Sequence, residues 1–311
     1  MTTIFLLDEC PINSRNGTYG GKAGDKEGIT IDGEPWIVKY PKSTKGMRGE
    51  LVSYTTSALS EYIGSHVYQI LGIEAHETRL GIRNGKLVVA CKDFCQTEGS
   101  LREIRTIKNV YNKELAEQLE TSLSSTSDSH LVEIESILIH LTHNPILKKV
   151  PEIRQRFWEQ ILVDVLINNN DRNSGNWGVL YENGTYRLAP VFDNGAAFSN
   201  KIPDRKLAEL MEKPERFRQS LDTSRTIYQM HGKPLFAKDL LSITFPDFQE
   251  TAKNLVPVID SCIPEICALI DEIPKCFGEL PVCSPVRKEY YKTNIQERLN
   301  TFLLPILQSN C

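Results

Sequence analysis

No apolar run in this 311-residue chain approaches the eighteen or so residues that a membrane-spanning helix needs. Ile4-Phe5-Leu6-Leu7 is too short, and its flanks too poor in Lys and Arg, for a signal peptide. No basic tail or stripe stands out and the formal net charge is −4, so the electrostatic footprint of a nucleic-acid binder is missing. None of the eight cysteines forms a Cys-x2-Cys pair, and no histidine sits at ligand spacing beside one. That leaves no reason to invoke zinc and points to reduced thiols in a cytoplasmic protein. A secreted or translocated effector without a signal peptide is the alternative location. No repeats are apparent. What remains is an ordinary globular composition, 40% hydrophobic, long enough for two modest domains or one two-lobed enzyme.

One polar stretch, from Ile167 to Gly178, stands out from that background. It holds Asp171 and Asn176, and a second acid follows in Val191-Phe192-Asp193-Asn194-Gly195. One carboxylate for an attacking hydroxyl, with an amide oxygen and another carboxylate to hold Mg²⁺ on phosphates, is the grammar of phosphoryl transfer. The strand-like runs 177–181 and 185–189 flank Asn183-Gly184, a strong two-residue turn signal. If Glu182 pairs with Thr185, Asn176 falls opposite Val191, and Asp193 returns to within a couple of residues of it across about 5 Å. Mg²⁺ suits such a site, because it takes few protein carboxylates and completes its shell with phosphate and water. The plain alternative is a polar loop whose acids and amides serve as caps. It accounts for each residue singly but not for the compound pattern.

Upstream, Asn16 to Gly28 is rich in glycine, which lets backbone N–H groups approach and cradle phosphate oxygens. Gly20, Gly21, Lys22, Ala23 and Lys26 are its candidate nucleotide contacts. The loop leads into a hairpin turning at Asp32-Gly33, whose second strand ends at Lys39. Behind a glycine-rich hairpin, a strand-edge lysine is placed to pair with the α and β phosphates rather than merely to be solvated. From about Gly49 to Leu71 the pattern turns helical, with Ala58, Leu59, Tyr62, Ile63, Val67, Ile70 and Leu71 on one face and Gly72 as the stop. A lysine aimed at phosphates needs an anionic partner on that helix. Glu61 is the best-placed acid and Glu50 the fallback. A third hairpin turns at Asn84-Gly85, and Lys92-Asp93-Phe94 leaves the sheet where adenine would meet the backbone, making Lys92 and Phe94 candidate contacts.

Residues 99–150 read as mostly helical, interrupted by a Ser/Thr-rich loop at 121–129. His140 and His143 are expected at the surface or as caps. The helix Pro151–Ile167 buries Phe157, Trp158, Ile161, Leu162, Val165 and Leu166, a rigid mount for the loop that follows. Asp164 on that helix either braces the loop or is exposed; pattern does not decide. After Gly195 an irregular polar stretch with Arg205, Arg216, Arg218 and Arg225 runs to about Pro234, where a protein substrate would dock unless the arginines are simply solvated. Helices are then expected at Phe236–Leu241, Phe248–Ile259 and Pro264–Ile273, and a last one opens at Ser284-Pro285.

With these blocks in order, the chain resembles the HipA-like serine/threonine kinases, in particular the short CtkA (cell-translocating kinase A) type. The blocks are Gly20-Gly21-x-x-Gly24-x-Lys26, Val38-Lys39-Tyr40-Pro41, Ser60-Glu61-Tyr62 and Val88 to Phe94, then Asp171-Arg172-x-x-Gly175-Asn176-Trp177-Gly178 and Ala189-Pro190-x-Phe192-Asp193-x-Gly195. The resemblance implies an α+β, two-lobed protein-kinase-like fold. Its small β-rich N-lobe with one helix would span 1–95 and its larger, mainly helical C-lobe 96–311. It implies Asp171 as catalytic acid–base, Asn176 and Asp193 as Mg²⁺ ligands, Lys39 as the ATP lysine and Glu61 as its partner. The expected activity is transfer of the ATP γ-phosphate to protein hydroxyls, including its own, with Thr18 and Ser14 as candidate acceptors. Asn173 stands where many relatives carry His. The glycine-rich loop begins almost at Met1, so the long N-terminal subdomain of full-length HipA is expected to have no counterpart here, and an antitoxin partner of the HipB kind is not supported by the sequence. Two other readings share parts of the pattern. A lipid or small-molecule kinase of the phosphatidylinositol-kinase kind has a similar Asp-Arg-x3-Asn, though no basic membrane-facing segment supports it. A pseudokinase would bind partners without chemistry, and retention of Lys39, Asp171, Asn176 and Asp193 together argues against it.

Overall fold

Four two-residue hairpin turns among the described residues have both central residues in the left-handed region: Asp32-Gly33, Asn84-Gly85, Asn183-Gly184 and His231-Gly232. That backbone matches the right-handed twist of flanking strands, and it is why Asn-Gly and Asp-Gly mark hairpins. The computed structural model describes residues 1–17, 26–95, 100–123 and 131–308. Gly20, Gly21, Lys22, Ala23 and the candidate acceptor Thr18 lie outside the described residues, as does most of the Ser/Thr-rich loop. The chain forms two compact units: Met1–Phe94, Asn194–Gln219 and Ile259–Glu297 in the first, Cys95–Asp193, Ser220–Val258 and Arg298–Cys311 in the second.

In the first unit, β1 (Phe5–Leu6), β2 (Lys26–Ile31), β3 (Glu34–Lys39), β4 (Thr78–Arg83) and β5 (Lys86–Lys92) form one sheet in the order β1-β4-β5-β3-β2. β1 runs parallel to β4, and the other pairs are antiparallel. Alternation along the strands sends Ile29, Ile31, Trp36, Val38, Val88 and Ala90 to a buried face, where they pack with Leu7. Helix α1 (Ser57–Ile70) buries Ala58, Leu59, Tyr62, Ile63 and Val67 as its spacing requires, and Gly72 at φ 75° follows its end. It starts at Ser57 rather than near Gly49. Gly49 itself sits at φ 98°, which no helix accommodates, and Ser43 forms an isolated bridge with Tyr54. The stretch expected to be irregular contains helix Asp204–Met211. Buried Arg287 ties that helix down, bonding Asp204 at 2.6 Å and the Ile202 carbonyl at 2.8 Å.

The second unit contains β6 (Leu101–Glu103), α2 (Ile104–Gln118), β7 (Val132–Glu133), α3 (Ile134–His143), α4 (Ile153–Leu166), β8 (Gly178–Glu182), β9 (Thr185–Leu188), β10 (Arg225–Met230) and β11 (Lys233–Phe236). Its sheets run β6-β8-β9 and β11-β10-β7. The hairpin β10–β11 also falls in the stretch expected to be irregular; β10 pairs in parallel with β7, a non-local partner that no sequence window contains. α4 begins two residues after Pro151, because Glu152 is left-handed at φ 58°. Its Phe157 lies between Trp158 (4.9 Å between centroids), Trp177 (5.8 Å, stacked) and Tyr228 (5.9 Å, edge-on).

Two helices expected at Phe248–Ile259 and Pro264–Ile273 are one, Pro246–Glu272. Pro257 and Pro264 each remove an intrahelical hydrogen bond, at about 3 kcal/mol or more. The buried stripe Phe248, Ala252, Val256, Ile259, Ile263, Ile266 and Ile270 nevertheless runs through both prolines and outweighs that cost. The short helix expected at Phe236–Leu241 is a 3-10 turn at Ala237–Ser242. His140 is fully buried rather than superficial, while His143 is exposed.

Candidate active site

α4 ends at Ile167, and the next residue to matter is Arg172, whose side chain is wholly buried. Its guanidinium makes a two-pronged pair with Asp164 of α4, Nε to Oδ2 at 2.9 Å and Nη2 to Oδ1 at 3.0 Å. Its remaining nitrogen, Nη1, donates to the Asn176 carbonyl at 3.0 Å and to the Phe192 carbonyl. One buried cation thus fastens the helix, the polar loop and the strand end that carries Asp193. Arginine suits this because its planar fork offers five donors and stays charged when buried. Asp164 therefore braces the loop. Asn169 Nδ2 donates to the same carboxylate at 3.0 Å.

The hairpin register is Glu182↔Thr185 through Val179↔Leu188, and the Ala189 amide donates to the Gly178 carbonyl at 3.1 Å. Extending it sets Asn176 against Val191. Asp171 is exposed at the start of the loop, and Asn173 Nδ2 donates to its Oδ1 at 3.2 Å. Asn176 Nδ2 donates to the Asp171 carbonyl at 2.6 Å, so the amide is oriented and its oxygen is the end turned to accept. Asp193 is half-buried and left-handed at φ 58°. An oriented amide oxygen and a carboxylate are hard oxygen donors of the kind Mg²⁺ takes. Gly178 has no substitute: a Cβ there would collide with the Arg102 carbonyl of β6.

In the first unit, Lys39 ends β3 opposite Lys26, and its Nζ lies 3.2 Å from Glu61 Oε2. Glu50, the fallback partner, is on the surface with Arg205 and Lys206. Glu61 is buried and has two further donors on Oε1, His76 Nε2 at 3.0 Å and the Asn194 amide at 3.1 Å. Burial opposes its charge, but Lys39, His76 and the Asn194 amide together outweigh it and hold its carboxyl below the ordinary carboxylate range. Cys91 Sγ completes a buried group with Glu61 and His76 whose ligand atoms lie within 4.8 Å of one another. The Glu61 oxygens are already committed to donors, so this is an ion-pair network rather than a metal site. Lys92 spends its ammonium on Glu34 at 2.7 Å and Glu77 at 3.7 Å. The Lys92 and Asp93 amides donate to Glu77 and Pro35 carbonyls, and the Phe94 ring lies edge-on to His76 at 6.5 Å.

Inspection of the sequence missed His76, Arg172 as a clamp, and Asn194. Arg172 and Asn194 do adjoin the acids that were singled out, and that adjacency was the available signal; His76 had none.

The fold and these two clusters define a HipA-like protein: the chain belongs to the HipA-like C-terminal domain family, which matches residues 22–235. Among individual relatives, it is 28% identical over 293 residues to the serine/threonine-protein kinase CtkA of Helicobacter pylori, covering 93% of this chain and 83% of that one. The crystal structure of the H. pylori proinflammatory kinase CtkA superimposes with a TM-score of 0.82 at 24% identity, covering 99% and 98% of the two chains. HipA from the Shewanella oneidensis HipA, HipB and operator DNA complex matches with a TM-score of 0.55 at 12% identity, over 94% of this chain and 68% of that one. The fold is α+β and kinase-like, with a small sheet-rich part and helices.

Proposed function

We propose that this chain is an ATP- and Mg²⁺-dependent protein serine/threonine kinase that phosphorylates protein hydroxyls, its own among them. The observation that carries the reading is the Arg172 clamp, which holds the Asn176 and Phe192 carbonyls beside a buried Asp164. A rigid mount of this kind is what catalysis by positioning requires. The names of the H. pylori relative and its crystal structure, both kinases, point the same way.

In this reading Asp171, kept in place by Asn173, orients the acceptor hydroxyl and takes its proton. Asn176 and Asp193 hold Mg²⁺, which when bound neutralises charge on the phosphates. Lys39 pairs with the α and β phosphates and Glu61 holds Lys39. Gly20, Gly21, Lys22, Ala23 and Lys26 line the phosphates, and the main chain at Lys92 to Phe94 takes the adenine. With its own amides at 92 and 93 already donating, adenine contact falls to the carbonyls and to Phe94. The functional division is an N-lobe of 1–95 and a C-lobe of 96–311. No helix among the described residues is long and apolar enough to cross a membrane. The site of action proposed is the cytoplasm, or a cell reached by translocation.

Incubating the purified protein with Mg-ATP, alone and with protein acceptors, and reading phosphoserine and phosphothreonine by mass spectrometry tests this directly. Transfer only to a lipid or a small metabolite would replace the reading with a small-molecule kinase. Nucleotide binding without transfer to any acceptor would favour a pseudokinase.

A further inference from the structure

Three buried polar groups outside the expected machinery, Ser65, His76 and Asn194, meet on the far side of the Glu61 carboxylate. His76 is 4% exposed, and its Nε2 lies 3.0 Å from Glu61 Oε1. A carboxylate only accepts, so this nitrogen carries the proton. Ser65 Oγ lies 3.1 Å from the same nitrogen and accepts from Asn194 Nδ2 at 3.0 Å. Asn194 closes the ring by donating its backbone N–H to Glu61 Oε1 at 3.1 Å. Glu61, His76, Ser65 and Asn194 thus form a closed buried circuit, and Lys39 meets it at Glu61 Oε2.

We propose that His76 is a positioning residue that, through Glu61, fixes where the Lys39 ammonium sits. The inference rests on the kinase reading above. Two donors on Oε1 leave Oε2 as the one oxygen presented to Lys39. Without the imidazole, the buried carboxylate loses a charge-assisted hydrogen bond and turns to satisfy itself on the lysine. Lys39 is then drawn down onto Glu61 and away from phosphate. His76 also stands against Phe94, so the circuit reaches the segment assigned to adenine.

The test is a series at one position, read as Mg-ATP dissociation constant by calorimetry and as kcat and KM for ATP. His76→Gln keeps an N–H donor at about the reach of Nε2. His76→Leu removes it, and His76→Asn keeps an amide that stops short of Glu61. The Leu and Asn variants are expected to weaken Mg-ATP binding roughly 10- to 100-fold, the worth of one hydrogen bond to a charged group. The Gln variant should recover most of that loss. In a Lys39→Ala background, none of the three should weaken binding further, because His76 acts through Lys39. Equal losses for Gln and Asn, no loss for Leu, or undiminished losses on top of Lys39→Ala would each overturn the proposal. Failure of all three to fold would make His76 a structural residue and overturn it as well. A wild type that binds no Mg-ATP removes the kinase reading and this inference with it. A wild type that binds it, with a flat series at 76, removes the inference alone.

Discussion

Asp193 occupies a left-handed backbone position at φ 58°. Asn tolerates that conformation as well as Asp does, so Asp193→Asn removes charge without straining the turn. The substitution is expected to abolish detectable phosphoryl transfer and weaken Mg-nucleotide binding, because an amide cannot replace one carboxylate of a divalent site. Unchanged Mg-ATP affinity by calorimetry, with normal turnover, would remove Asp193 from metal binding. Asp171 is exposed and held by Asn173 of its own loop, so Asp171→Asn should fail differently. Turnover should fall by about 10²–10⁴-fold, the usual span for a positioned acid–base group, while ATP affinity stays nearly intact. A loss of ATP affinity equal to the loss of turnover would contradict that role.

At the scale of elements, α4 and the polar loop are joined by a charge pair that is dry on both sides, with Arg172 and Asp164 at 0% and 3% side-chain exposure. Asp164→Ala strands a buried guanidinium, and urea unfolding should show a loss of about 3–5 kcal/mol. A loss no larger than that of a surface substitution would mean the loop is held by other means. The α2–α3 contact supplies a pH signature. His140 Nε2 donates to Asn112 Oδ1 at 2.7 Å, and its Nδ1 faces the Asn144 amide at 3.3 Å, a pattern only the neutral ring satisfies. Burial, then the charge of Lys108, pushes its pKa down from 6.5 to about 4. The unfolded chain therefore takes up this proton first as pH falls. The contribution is fully present above pH 6.5 and is lost progressively down to about 4. Urea midpoints of wild type and His140→Gln at pH 7, 5 and 4 should converge as pH falls, and parallel curves would refute the assignment.

For the whole molecule, a nucleotide that binds only the folded chain stabilises it by mass action. Mg-ATP at about 100 times its dissociation constant should add roughly 2.7 kcal/mol and raise the thermal midpoint. Because the metal ligands proposed are Asn176 and Asp193, ATP with a chelator should shift the midpoint much less. Equal shifts with and without Mg²⁺ would speak against a metal-dependent nucleotide site. The shift should also disappear in Asp193→Asn, which ties this measurement to the one at residue scale.

What the sequence determined by itself is local. Three turn dipeptides set three hairpins, an apolar stripe set α1 and α4, and the Asp171, Asn176 and Asp193 spacing pointed to phosphoryl transfer, because each signal is contained in a short window. Tertiary structure decided matters whose partners are distant along the chain. It chose Glu61 over Glu50 for Lys39, because Glu50 is taken by Arg205 and Lys206. It turned Asp164 from a residue of undecided role into the partner of Arg172, and it placed His76 and His140 in the interior. It also carried one helix through Pro257 and Pro264, where propensity alone predicts a break. The physical reason is common to all of these. A polar or helix-breaking residue is costly in the interior unless its partner or its packing surface is in place, and sequence periodicity reports which residues are apolar but not which polar ones have been satisfied.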